Sequence, residues 1–248
     1  MRSTSEVGHA KNVANFNTII QAITAFGATY NPSNANLAIA NLQTIYTDAD
    51  AALALLSTKN AELSKAINDR FLVFQPLKPL ATKVINALKA TGAKPKTVED
   101  AVGYNRKIQG SRSGKLNEEI TEAEREENPE KETTNVSVSQ QSYDYMVQHL
   151  ANLIEVLKTE SNYAPNETEL QVATLETLKT NMETNNTNVV TKRLEAANQR
   201  IERNKILYTN EVNLVELSRQ VKQYVKSLFG PSSEQYKQIS GLKFVDKN

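Results

Sequence analysis

The stretch Tyr30-Asn-Pro-Ser-Asn-Ala-Asn-Leu37-Ala-Ile-Ala-Asn-Leu42 decides the fold, because a matching stretch, Tyr163-Ala-Pro-Asn-Glu-Thr-Glu-Leu170-Gln-Val-Ala-Thr-Leu175, follows 133 residues later. Five positions carry the same residue in the two stretches, and the same offset places Asp69-Arg70 on Glu202-Arg203. Features that return in the same order along a chain indicate a tandem duplication. The sequence therefore predicts two homologous repeats, residues 1–109 and 137–248, joined by residues 110–136.

Each repeat is expected to begin with a helix that has one apolar face, over about 12–28 and 138–160. Its apolar residues lie three and four positions apart, which is the spacing of one side of a helix. In the first copy they are Phe16, Ile19, Ile20, Ile23 and Phe26, and in the second copy Met146, Leu150, Leu153 and Leu157.

A long second helix is predicted after the Tyr-x-Pro turn in each repeat, over about 34–75 and 166–208. In the first copy, two heptad columns predict a coiled-coil-like seam. These columns are Leu42, Ala49, Leu56 and Leu63, and Tyr46, Leu53, Asn60, Ile67 and Phe74. The second copy begins a seam with Leu175, Leu178, Met182 and Val189, which then shifts to Val190, Leu194, Ala197, Ile201 and Tyr208. The polar stretch 185–188 lies at the shift, which predicts a stutter or a local bend there.

Prolines and glycines predict where the helices end. Pro76 breaks the first long helix, since proline lacks the N–H group that a helix interior needs. The second copy has no proline at this place, but by analogy with the first copy we expect a break at Thr209-Asn210. Gly92 and Gly230 are expected to end the third helices, and a short helix completes each copy.

The composition agrees with an all-α class. The 248 residues include only 8 Gly and 7 Pro, whereas Ala, Leu, Lys and Glu, which favour helices, are abundant. No apolar run is long enough to cross a membrane as a helix. We predict an all-α fold: an elongated antiparallel helical bundle in which two tandem homologous helical repeats pack together.

Charge and cysteine content limit the classes of function. The net charge is +1, which gives no strong attraction for polyanions. Residues 110–136 contain eight Glu and almost no apolar residue, as is typical of a flexible acidic linker. The lack of cysteine excludes disulfides, Cys–zinc sites and thiol catalysis. Because no apolar signal sequence follows Met1, a cytoplasmic localisation is expected.

Two short motifs resemble known sites but lack essential parts. Gly110-Ser-Arg-Ser-Gly114-Lys115 has one residue too few between its glycines for a phosphate-binding loop, and no strand precedes it. Glu6-Val-Gly-His9 matches the Glu-x-x-His of di-iron bundles, but its Gly-containing segment is expected to fray. His149, the other histidine, has Met146 where the second Glu should be. The sequence therefore gives no catalytic residue, no metal ligand and no cofactor.

Six residues are candidates for interactions: Arg70, Arg203, Asn186, Arg219, Lys222 and Lys226. The two equivalent arginines, Arg70 and Arg203, are expected in a salt bridge or a helix-terminus contact, with a pseudo-symmetric anion site as the alternative. Asn186 and Asn60 lie at or near the seam, where Asn sets register or partner choice or lines a polar cavity. The last three candidates form a basic stripe that is either a solvated face or a contact for phosphates.

The leading hypothesis is a non-enzymatic helical scaffold or protein-interaction module that binds a protein partner or associates with itself. No small-molecule substrate is evident. The first alternative is a membrane-interacting or pore-forming helical protein, and the second is a weak nucleic-acid binder that uses the basic stripe. The apolar segment Gly241-Leu-Lys-Phe-Val245 either docks back on the bundle or adds to a partner.

Overall fold

The computed structural model describes residues 7–110 and 141–245, and every regular element within these two ranges is helical. The α-helices are α1 (Val7–Ala25), α2 (Ile39–Phe74), α3 (Leu77–Ala90), α4 (Pro95–Gln109), α5 (Tyr143–Thr159), α6 (Val172–Asn204), α7 (Leu214–Phe229) and α8 (Glu234–Ser240). A π-helix, Lys205–Thr209, continues α6 directly. The prediction of an all-α helical bundle is confirmed for the described part of the chain.

The chain forms two compact units, and each unit contains helices from both halves of the sequence. Unit 1 comprises residues 1–64 and 191–248, and unit 2 comprises residues 65–190. Unit 1 thus combines α1 and the first part of α2 with the end of α6, α7 and α8. Unit 2 combines the end of α2 with α3, α4, α5 and the first part of α6. The compact units therefore do not follow the boundaries of the predicted repeats.

In unit 1, α1 buries one face against α7 and α8. The buried residues of this face are Val13, Phe16, Ile19, Ile20 and Ile23. Full burial of such side chains stabilises the fold by about 1.5–3 kcal/mol each, and the predicted apolar face is confirmed. The helix begins at Val7 rather than near residue 12. His9 lies inside it and is 1% exposed, so the expectation that this segment frays is wrong.

In unit 2, α5 packs against α4, which in turn packs against α3. Ser142 caps α5, because its side chain accepts a hydrogen bond from the Tyr145 N–H group, as is typical of helix N-termini. The buried residues of α5 are Val147, His149, Leu150, Leu153, Ile154 and Leu157. Met146, predicted for this face, is only half-buried, and the apolar face otherwise corresponds to the prediction.

A turn closed by a tyrosine hydroxyl, called here a tyrosine corner, precedes each of the two long helices α2 and α6. The Tyr30 hydroxyl donates a hydrogen bond to the Leu37 carbonyl over 2.8 Å, and the Tyr163 hydroxyl donates one to the Leu170 carbonyl, also over 2.8 Å. A short 3-10 helix ends at each of these leucines. Each buried hydroxyl therefore satisfies a main-chain carbonyl that the turn would otherwise leave without a partner.

The buried column of α6 keeps a seven-residue spacing along the whole helix. Its members are Leu175, Met182, Val189, Ala196 and Arg203. The predicted shift of the seam is wrong for Val190, Leu194 and Ile201, which are 55%, 59% and 53% exposed, whereas Tyr208 at the end of the predicted column is buried. The sequence misleads here because Ala196 and Arg203 are small or charged, whereas large apolar residues lie on the solvent side.

The two long helices end differently. α2 ends at Phe74, two residues before Pro76, as predicted. α6 passes into the π-helix, and α7 then begins at Leu214. The predicted break after Thr209 is thus present, but Asn213 supplies the cap, since its side chain accepts a hydrogen bond from the Glu216 N–H group over 2.9 Å. Among the described helices, none is both long and apolar enough to cross a membrane.

Candidate functional site

The segment Gly241–Val245, called here the tail segment, follows α8 and contacts α1 and α7 of unit 1. Leu242 and Phe244 are half-buried and pack on the unit 1 core, whereas Lys243 and Val245 are exposed. This alternation has the two-residue period of an extended chain. Of the two possibilities left open by the sequence, the structure has the tail segment docked back on its own chain.

Two asparagines of α1 bind the main chain of the tail segment. The Asn12 side chain donates to the Val245 carbonyl over 2.9 Å and accepts from the Val245 N–H group over 2.9 Å. The Asn15 side chain donates to the Lys243 carbonyl over 2.7 Å. Asn12 is 0% and Asn15 is 7% exposed. These buried amides are therefore satisfied by main-chain groups.

Lys222 of α7 binds the tail segment from a second helix. Its Nζ donates to the Leu242 carbonyl, and it lies 3.4 Å from the Ser240 carbonyl oxygen and 5.3 Å from the centroid of the Phe244 ring. Burial lowers the pKa of Lys222. Successive carbonyls of an extended chain point in opposite directions. The carbonyls of residues 243 and 245 accordingly bind α1, and that of residue 242 binds α7.

The tail segment lies between α1 and α7, and the space that it fills is called here the groove. A buried polar contact links this groove to the π-helix. The Tyr208 hydroxyl, which the π-helix carries, lies 2.7 Å from Nδ1 of His9 and accepts a hydrogen bond from the Asn12 side chain over 3.2 Å. Because Asn12 uses one amide hydrogen for Tyr208 and the other for Val245, its orientation is fixed from both sides. His9 and Tyr208 therefore position the residue that binds the tail segment.

Only the middle residue of the predicted basic stripe reaches this groove. Arg219 forms an exposed ion pair with Glu216 over 3.3 Å, and Lys226 lies exposed in the last turn of α7. Lys222 is the one that binds main-chain carbonyls. The three residues thus have different surroundings: an ion pair, main-chain carbonyls and solvent.

Arg70 and Arg203, predicted to be equivalent, have different environments. The Arg70 guanidinium carbon lies 4.0 Å from the centroid of the Tyr143 ring, which is a cation–π geometry. Its Nε has no hydrogen-bond partner among the described residues. Arg203 is 4% exposed, and its Nε and Nη2 donate to Asn204 Oδ1 over 3.1 and 2.9 Å.

The asparagines predicted at or near the seam each contact a polar side chain. Asn186 is 9% exposed and donates to Asp144 Oδ1 over 2.9 Å, while its own Oδ1 has no partner among the described residues. The Asn60 Oδ1 accepts a hydrogen bond from Arg200 over 2.9 Å. Both contacts join residues that are distant in sequence: Asn186 links α6 to α5, and Asn60 links α2 to α6.

Four charged side chains of unit 1 form a network between α2 and α6. Lys59 lies 3.1 Å from Glu62 and 2.9 Å from Glu195, and Lys192 lies 2.9 Å from Glu62 and 3.1 Å from Glu195. Hydrogen bonds from Lys192 and then Lys59 lower the pKa of Glu62, and those from Lys59 and then Lys192 lower the pKa of Glu195. The same contacts raise the pKa of both lysines.

Sequence reasoning missed the residues that build the groove. His9, Asn12 and Asn15 lie three positions apart, directly beside the apolar face of α1. That polar stripe on an amphipathic helix was the available signal. Within residues 7–110 and 141–245, no three His, Asp or Glu side chains are grouped to hold a metal ion.

No known protein family, curated protein or solved structure matches this chain.

Proposed function

We propose that this chain is a non-enzymatic helical protein-interaction module that binds an extended peptide segment in the groove between α1 and α7. The observation that carries the proposal is the pair of hydrogen bonds between the Asn12 side chain and the N–H and C=O groups of Val245. A side-chain amide that binds both groups of one residue recognises main chain. Main-chain recognition of an extended segment is a common mode of peptide binding.

The contact of Lys222 with the tail segment favours peptide binding over nucleic-acid binding. Its ammonium group binds the Leu242 carbonyl, and Arg219 is paired with Glu216. Two charges of the basic stripe thus have partners within the chain, whereas a phosphate-binding stripe requires charges that can neutralise phosphates.

The two halves of the chain are proposed to be copies of one helical unit. Support comes from the tyrosine corners, since Tyr30–Leu37 and Tyr163–Leu170 make the same hydrogen bond at the same spacing. Further support comes from Leu42, Ala49 and Leu56, which are buried at the same seven-residue spacing as the column of α6.

The π-helix accounts for an irregularity in the spacing of these copies. Arg70 and Arg203 are separated by 133 residues, but the buried aromatic residues that follow them, Phe74 and Tyr208, are separated by 134. The π-helix Lys205–Thr209 lies between Arg203 and the end of its helix. Because a π-helical turn accommodates one extra residue, the offset increases by one there.

The binding proposal is tested with a full-length variant whose tail segment cannot dock. Leu242→Lys with Phe244→Lys places two ammonium groups on side chains that pack against the core, one of them beside the like charge of Lys222, and this double substitution should release the tail segment. A fluorescently labelled peptide of residues 240–248 should then bind the variant in an anisotropy titration. The matched control is Lys243→Asp, which changes an exposed side chain and should leave the groove occupied.

Adding Asn12→Leu to the released variant should weaken peptide binding at least about tenfold, since two main-chain hydrogen bonds are lost. If a folded released variant does not bind the peptide at millimolar concentration, the proposal that the groove binds an extended peptide is refuted. If the released variant does not fold, hydrogen exchange of the Val245 amide in the wild-type chain replaces the titration. Exchange as fast as in the free peptide would then overturn the proposal.

A further inference from the structure

We infer that the groove recognises partner proteins through an extended segment with large apolar side chains two residues apart, and that the tail segment is a resident competitor. This inference rests on the proposed function and names its ligand class. The partner is argued from how each residue of the tail segment is held. Four residues, Leu242–Val245, supply all the requirements.

Two positions of the ligand must be apolar. Leu242 and Phe244 both pack on the buried cluster of unit 1, and both are half-buried. The Phe244 ring also lies beside Lys222, with Nζ 5.3 Å from its centroid, so an aromatic side chain gains a cation–π contact there. A lysine at either place would bring its charge against the apolar cluster, and at position 244 it would also lie beside the like charge of Lys222.

The ligand must also offer main-chain groups in an extended conformation. The carbonyls of residues 242, 243 and 245 bind Lys222, Asn15 and Asn12 in turn. The N–H group of Val245 binds Asn12 Oδ1, and proline has no such group. A helical segment is excluded as well, because its carbonyls are bonded internally and all point along one axis.

The remaining two side chains are free to vary. Lys243 is exposed and Val245 is 47% exposed. The recognised pattern is therefore a large aliphatic residue, any residue, an aromatic residue and any residue except proline. Many unfolded or terminal segments of proteins can present this pattern, and a partner that does so must displace the tail segment.

Displacement is costly for a partner because the tail segment is covalently attached. A short flexible connection gives an effective concentration on the order of millimolar. For a peptide that binds the open groove at about 10 µM, the attached tail segment should weaken apparent binding about 100-fold. The intact chain should thus bind such peptides poorly, and the released variant Leu242→Lys/Phe244→Lys should bind them well.

A peptide series tests the pattern against the released variant. The reference is the peptide of residues 240–248, and each test peptide carries one substitution. Lysine at position 242 or 244, or proline at position 245, should weaken binding at least about tenfold. Aspartate at position 243 or threonine at position 245 should change the dissociation constant less than about threefold. The reference peptide should bind the wild-type chain about 100-fold more weakly than the released variant.

Several outcomes would overturn the inference while the proposed function stands. Equal affinities for all peptides of the series would mean that the groove has no such pattern. Equal affinity of the wild-type chain and the released variant would mean that the tail segment does not compete. Light scattering should show the wild-type chain to be a monomer. A dimer that the Phe244→Lys substitution dissociates would identify the ligand as the tail segment of a second copy and overturn the choice of another protein.

Discussion

Units 1 and 2 each contain a first helix with the same buried face but with different residues beside that face. Val13, Phe16, Ile19, Ile20 and Ile23 of α1 have the same spacing as Val147, Leu150, Leu153, Ile154 and Leu157 of α5. The residue four positions before Phe16 is Asn12, whereas four positions before Leu150 stands Met146. Asn15 directly precedes Phe16, and His149 directly precedes Leu150.

The difference separates the residues of α1 that pack in the core from those that bind the tail segment. The apolar face packs each helix into the core of its unit, and the burial of apolar side chains is sufficient to explain its residue spacing. The neighbouring stripe decides what else the helix binds. In α1 this stripe binds the tail segment through amides, whereas in α5 it begins with Tyr143, which packs against Phe74 with ring centroids 4.7 Å apart.

The largest effect is expected from a deletion that breaks the matching seven-residue spacing of buried residues in α2 and α6. Deleting Asn198 from α6 turns all later residues of the helix by about 100°, so Arg203 and Leu207 leave the buried side. We expect a loss of about 4 kcal/mol or more in the free energy of unfolding. Deleting Lys205 should cost only about 1–2 kcal/mol, because the π-helix can give up its extra residue and become α-helical. Denaturant titrations measure both, and equal losses would contradict this account of the π-helix.

The next effect tests whether the two buried faces are equivalent. Ile19→Ala in unit 1 and Leu153→Ala in unit 2 each remove a side chain that is 0% exposed. Each should lower the free energy of unfolding by about 3–4 kcal/mol, since a cavity remains in a close-packed core. The exposed residues Gln21 and Gln148, changed to Ala, serve as controls. A loss confined to one unit would show that only one of the faces is tightly packed.

The tyrosine corners allow a finer comparison. Tyr30→Phe and Tyr163→Phe should each cost about 1–2 kcal/mol, because a buried carbonyl loses its donor. Burial raises the pKa of Tyr30, and burial raises the pKa of Tyr163 to about 12. A raised pKa means stability that is complete below about pH 10 and is lost as the pH rises towards 12.

Both Phe variants should therefore lose less stability than the wild-type chain between pH 10 and about pH 12. Denaturant titrations at several pH values check this. If only one of the two variants behaves so, the corners are not equivalent despite their common geometry.

The smallest effect concerns the charge network of unit 1. The side chains of Lys59, Glu62, Lys192 and Glu195 are between 27% and 35% exposed, so solvent screens them. Replacing them by Met, Gln, Met and Gln should lower the melting temperature less than either tyrosine variant. Because the pKa of each glutamate is lowered, the contribution is present at neutral pH and is lost as the pH falls below about 4.5.

A melting-temperature difference that persists at acidic pH and in 1 M salt, a concentration that screens charges beyond about 3 Å, would assign the effect to packing. The network would then contribute through its aliphatic stems.

The sequence was sufficient for the helical class and for the apolar faces of α1 and α5, because burial of these residues follows directly from their spacing. It was insufficient for the column of α6, where Ala196 and Arg203 occupy buried positions and Leu194 an exposed one. Apolar character and burial disagree at these residues, so periodicity alone assigns the wrong side of the helix.

The groove was not predictable for a different reason. The stripe of His9, Asn12 and Asn15 is visible in the sequence, but its partner is the main chain near Val245, more than two hundred residues away. Main-chain groups are the same in every residue, so no side-chain pattern identifies which segment the asparagines bind. The π-helix likewise carries no proline or glycine that would mark it.

The order in which the chain is made has a consequence for unit 1. α1 leaves the ribosome first, but α7, its packing partner, begins about 190 residues later. At about 5–20 residues per second, α1 waits roughly 10–40 s for that partner. Unit 2, a continuous stretch of sequence, can complete its contacts in the meantime. Nascent chains should therefore show protease-resistant unit 2 while the apolar face of α1 is still accessible to chaperones.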